Sequence, residues 1–105
     1  MFGKLEELHA PQLIDVEVTQ VLRRYVLAGE LDVNHGRTLL SDLTLFPMRR
    51  HPHQFLLQRV WDLRDNLSAY DAIYVALAEA LDAALLTDDR RLVTAVRRHS
   101  WIRTL

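Results

Sequence analysis

A chain of 105 residues, 50 % hydrophobic and 26 % charged, has the composition of one small globular domain, which excludes a disordered or fibrous polypeptide. Thirteen Lys and Arg against fourteen Asp and Glu give a net charge of −1, so the overall field excludes non-selective attraction of nucleic acid and any such affinity is local. The absence of cysteine excludes a disulfide framework, a thiolate zinc site and a cysteine nucleophile. No run approaches the ~18 apolar residues of a membrane span, and Met1 to Glu7 lacks the basic-then-apolar layout of a signal peptide, so a cytoplasmic protein without a membrane partner is expected.

In chain order, Leu8 to Ala10 reads as a short extended segment, and Pro11 suits the first turn of a helix. That helix is expected over residues 12–28, with Ile14, Val18, Val21, Leu22 and Tyr25 as its inward stripe and Gly29 as its stop. A second helix over 33–43, capped by Asp32 or Asn34, turns Leu39, Leu40 and Leu43 inward despite Gly36. Thr44 to Met48 reads as a strand, which Pro47 confines to an edge or ends early. His51-Pro52-His53 makes a turn, and one helix ending near Asn66 is lined by Phe55, Leu56, Val60, Trp61 and Leu63.

Ser68 then opens an almost wholly apolar helix through Glu79, with Ser68-x-x-Asp71 in the form of a capping box. Ala83 to Thr87 has the look of a buried strand, Arg90 to Arg98 of a helix, and Trp101 to Leu105 of a closing strand. Strands alternating with helices predict an α/β domain with a parallel sheet. Arginines pair at Arg23-Arg24, Arg49-Arg50, Arg90-Arg91 and Arg97-Arg98, which suits either phosphate or a solvated helix face.

The candidate site residues are acids. Glu17 sits beside Val18 on the apolar stripe, where a carboxylate needs a cation or donor; a surface pair with Arg23 or Arg24 is the plainer reading. Asp71 stands at the mouth of an apolar helix, as a cap, as a ligand facing a cleft, or as both, since a carboxylate has two oxygens. Asp88 and Asp89 follow the expected buried strand, at the carboxyl end where ligands of open α/β sheets gather. One of the two is expected only to cap the next helix, and Asp89 is the choice for the site. Thr87 would support it through its hydroxyl. Magnesium takes only one or two carboxylates from a protein, so such acids must converge from separate elements to hold it against a phosphodiester. The histidines show no metal-ligand spacing beyond the close His51 and His53, which the proline turn explains.

Four segments in order resemble the VapC toxins of the PIN-domain nuclease family: residues 8–18 (LHAPQLIDVEV), 59–66 (RVWDLRDN), 68–79 (SAYDAIYVALAE) and 85–92 (LLTDDRRL). The resemblance implies a three-layer α/β domain over residues 1–105, with a small parallel sheet flanked by helices. It implies a magnesium- or manganese-dependent RNA endonuclease, the toxin of a type II toxin-antitoxin system, held inactive by a cognate antitoxin and forming a homodimer. The family's acids map to Glu17, Asp71 and Asp89 as metal ligands, with Thr87 and Arg90 in support.

Members of the family open with a strand ending in aspartate, and Met1 to Glu7 contains neither an aspartate nor a strand-like apolar run. The expectation is a domain without its leading strand and helix, with weakened metal binding and exposed strand edges. The alternative function is then a catalytically inactive remnant that binds an antitoxin or a second PIN chain.

Overall fold

A computed structural model describes residues 7–105 of the chain. The expectation about the structure of Met1 to Glu7 therefore lies, apart from Glu7, outside the described residues. The chain divides into two compact units, one ending at His51 and one beginning at Pro52.

The first unit holds β1 (His9–Pro11), α1 (Leu13–Leu27), α2 (Val33–Leu45) and β2 (Arg49–His51). The two strands pair in parallel, His9 opposite Arg49 and Pro11 opposite His51. Parallel neighbours need a long crossover, and the two helices supply it. Pro11 is not in the first helical turn as expected; it is the buried last residue of β1, and the Gln12 N–H donates to His51 O at 2.8 Å just beyond it. After α1, Gly29 turns the chain at φ 77°, a conformation glycine adopts without a Cβ clash. The cap of α2 is Asp32, whose Oδ2 accepts from the Asn34 and His35 amides at 3.0 and 3.2 Å.

Two expectations fail here. The strand lies at Arg49–His51 and not at Thr44 to Met48, because α2 continues through Leu45 and Pro47 has no N–H to give a ladder. An Arg-Arg-His run has weak strand propensity of its own. It is held instead by the Arg49 N–H on Leu8 O at 2.8 Å and by Arg50 Nε, which donates to both Asp15 oxygens at 2.9 Å. The stripe of α1 is also shallower than expected: Ile14, Val18 and Leu22 are half-buried, while Val21 and Tyr25 are exposed.

The second unit begins with a 3-10 turn, Gln54–Leu56, followed by α3 (Leu57–Asp62), α4 (Ala69–Leu81) and α5 (Arg90–His99). The single helix expected from Phe55 to Asn66 is thus broken at both ends. Leu56, Val60 and Leu63 are buried at helical spacing, but Phe55 and Trp61 lie off that line and are each 64 % exposed. The Arg64 guanidinium lies over the Trp61 ring, 5.0 Å from its centre. Helix α4 is the core of this unit, with Ala72, Ile73 and every residue from Val75 to Ala78 buried.

The strands expected at Ala83 to Thr87 and Trp101 to Leu105 shrink to one parallel bridge, Leu85 with Thr104. The Leu85 N–H donates to Arg103 O and the Leu105 N–H to Leu85 O, both at 2.8 Å. Only Leu85 of its run is buried, and Leu86 points to solvent, so one residue anchors the pairing. Both strand pairings among the described residues are parallel, as an α/β fold requires.

Candidate active site

Ser68 caps α4: its Oγ accepts from the Asp71 N–H at 3.1 Å. Among the described residues the half-buried Asp71 carboxylate makes no hydrogen bond or ion pair, so the return half of a capping box is not formed. The cap that would account for Asp71 is supplied by Ser68, and an acid is left at the mouth of an apolar helix.

Asp89 caps α5. Its Oδ1 accepts from the Arg91 and Leu92 amides at 2.9 and 3.2 Å, and Thr87 Oγ1 accepts from the Asp89 N–H at 3.1 Å. The residue that caps is therefore the one chosen for the site, and Asp88 is exposed without a cap role. Both cap bonds use one oxygen, which leaves Oδ2 for a second task. Thr87 accepts at its oxygen and keeps its own proton to donate. Arg90 is exposed at the first position of α5.

Glu17 is half-buried on the second turn of α1, in the first unit, whereas Asp71, Thr87, Asp89 and Arg90 belong to the second. The structure joins Thr87 to Asp89; among the described residues, no three His, Asp or Glu side chains gather as a metal site. The donor chemistry of Glu17, Asp71, Asp89 and Thr87, all oxygen and no sulfur or imidazole, fits a hard divalent cation such as magnesium or manganese.

The best-formed polar network lies outside the acids that the sequence singles out. Arg59 donates from Nε to Glu79 Oε1 at 2.7 Å and from Nη2 to Oε2 at 2.9 Å, Ser100 Oγ donates to Oε2 at 2.6 Å, and Arg59 also reaches His99 O at 3.1 Å. Burial pushes the Glu79 carboxyl up, but the hydrogen bonds from Arg59 and Ser100 and the Arg59 charge outweigh it and hold the group below its ordinary value. Arg59 is pushed up in turn, chiefly by its bond to Glu79. The available signal was Glu79 itself, a lone acid between two alanines late in an apolar helix.

Residues 2–97 match the PIN domain family. The chain belongs to that family. It is 47 % identical over 87 residues to the VapC ribonuclease Mb0985 of Mycobacterium bovis, an alignment covering 83 % of this chain and 68 % of that protein. It is 47 % identical over 88 residues to ribonuclease VapC1 of Mycobacterium tuberculosis, covering 83 % of this chain and 66 % of the relative. Ribonuclease VapC3 of the same organism is 42 % identical over 88 residues, 84 % of this chain and 64 % of its own length. The chain thus spans about two thirds of the length of these relatives.

Proposed function

We propose that this chain is a metal-dependent RNA endonuclease and the toxin of a type II toxin-antitoxin pair, acting in the cytoplasm. Its likeness to proteins named ribonucleases supports the activity. The family match from residue 2 to 97 supports reading the chain as one domain. The observation that carries the site is the Asp71 carboxylate, unemployed by the cap beside it.

Glu17, Asp71 and Asp89 are the metal ligands in this reading. A bound magnesium or manganese ion would acidify an attacking water and stabilise charge on the scissile phosphate. Asp71 gives an oxygen no other group claims; Asp89 gives Oδ2 while Oδ1 fixes the residue at the start of α5. Thr87 orients Asp89 through the backbone and donates its hydroxyl proton to a carboxylate or to water. Arg90, adjacent to Asp89, positions a phosphate oxygen.

An antitoxin and a second copy of the chain are the protein partners of this reading. Support comes from a groove of about 260 Å³ in the first unit, lined by Leu22, Val26 and Leu40 together with Arg23 and Arg37. No helix among the described residues is long and apolar enough to cross a membrane.

The test is incubation of the purified chain with structured and single-stranded RNA, with magnesium and with chelator. Cleavage that needs the metal and disappears with Asp71→Asn supports the reading. A folded protein that cuts no RNA tested, yet binds an antitoxin tightly, would replace it with the inactive remnant.

A further inference from the structure

We propose that the outward face of α5, continued by Trp101 and Arg103, is a binding track for single-stranded RNA. The inference rests on the ribonuclease reading and names where its substrate lies beyond the scissile phosphate. Residues 90–105 carry five arginines and no acidic side chain, while the remaining residues hold eight basic and fourteen acidic ones. The chain is acidic elsewhere and basic here.

At 3.6 residues per turn, Arg90, Arg91, Arg97 and Arg98 fall within an arc of about 120°. The buried Leu92 and Val96 lie on the opposite side. The pairs Arg90/Arg97 and Arg91/Arg98 are each seven residues apart, two rungs separated by about 10 Å along the axis. All four arginines and Arg103 are exposed, and among the described residues none of their side chains forms an ion pair or hydrogen bond. Arg50 and Arg59, by contrast, are consumed by Asp15 and Glu79.

Helix stability does not account for this face. Arg97 and Arg98 in the last turn complement the helix dipole, but Arg90 and Arg91 in the first turn oppose it, and like charges on one face repel. Positive charge held against both effects suits an anion that runs along the helix. Past its end Ile102 is buried while Trp101 is 67 % exposed, so an exposed indole follows the arginine-bearing helix directly in the chain. Phosphates on arginine with a base on an aromatic face is how single strands are bound without sequence preference.

The test is fluorescence anisotropy of a labelled, unstructured 12-nucleotide RNA with chelator present, across a salt series. Arg97→Ala/Arg98→Ala should lower the slope of log affinity against log salt by roughly 1 to 1.5, because each phosphate that a single strand no longer has neutralised removes about 0.7. Arg97→Lys/Arg98→Lys should keep the slope, and thermal melting confirms that each variant is folded. Trp101→Ala should weaken binding roughly ten-fold with the slope unchanged. Wild-type affinity and slope in the alanine variants would overturn the track, and metal-dependent cleavage persisting in them would leave the ribonuclease reading standing. Poly-glutamate competing as well as RNA, with Trp101→Ala neutral, would overturn it in favour of an acidic protein ligand. RNA binding that responds to both changes in a wild-type chain that cuts nothing would support the track and remove the nuclease.

Discussion

Arg59 holds Glu79 in a two-pronged grip, Nε to Oε1 at 2.7 Å and Nη2 to Oε2 at 2.9 Å, and so ties α3 to α4. The same guanidinium takes His99 O, and Ser100 Oγ completes the carboxylate, so the end of α5 is bound in as well. The Glu79 side chain is only 5 % exposed. Its charge is tolerable there because both of its oxygens have donors.

Removing one partner strands the other. Arg59→Ala should cost about 3 kcal/mol of unfolding free energy, since a buried carboxylate loses its counter-charge. Glu79→Gln, which keeps the shape and one acceptor, should cost less. Urea denaturation of both variants measures the difference; equal and small losses would show that the network contributes nothing to stability.

The same pair sets an acid limb. The folded-state Glu79 pKa lies below the ordinary value, so the stability it contributes is complete above the unfolded value of about 4.3 and is lost as pH falls through the lowered folded value. Wild type should therefore lose stability between roughly pH 5 and the acid end, and Glu79→Gln should flatten that limb.

A second pH effect belongs to the strand pair. His9 Nδ1 and His51 Nε2 are 2.8 Å apart and share one proton, so a second proton between them breaks the contact. Burial first, then the charges of His9 and Arg49, pull His51 below 6.5. A lowered pKa means that the unfolded chain takes up the proton first, so stability is full above about 6.5 and falls as pH drops toward the folded value. His51→Gln should remove this slope, read as melting temperature between pH 8 and 5.

Helices α1, α2, α4 and α5 are legible in the sequence from apolar spacing and from Gly29, Asp32 and Ser68 as punctuation, because those signals are local. The strand Arg49–His51 is not, because its stability comes from Leu8 and Asp15, far away in sequence. Phe55 and Trp61 mislead because a large apolar side chain suggests burial that their place on the helix does not provide. Of the candidate site, Asp89 and Thr87 follow from the turn before α5, while the pairing of Arg59 with Glu79, 20 residues apart, stays hidden for the same reason as the strand: no local pattern encodes a tertiary partner.

The caps at Ser68 and Asp89 can be separated from the metal role proposed for the acids. Ser68→Ala should cost about 1 kcal/mol and Asp89→Ala a similar amount, whereas Asp89→Asn should be nearly neutral because asparagine caps as well as aspartate. Asp88→Asn should change neither stability nor metal affinity. Melting curves with and without manganese report both properties in one experiment.

Metal-dependent RNA cleavage by Asp71→Asn and by Ser68→Ala separates the metal role proposed for Asp71 from the cap that Ser68 supplies to α4. If Asp71 holds the metal as proposed, Asp71→Asn should keep its melting temperature and lose about 10- to 100-fold in rate. Ser68→Ala should melt earlier yet cut RNA at the wild-type rate below its transition. An Asp71→Asn protein that cleaves at the wild-type rate would remove Asp71 from the site.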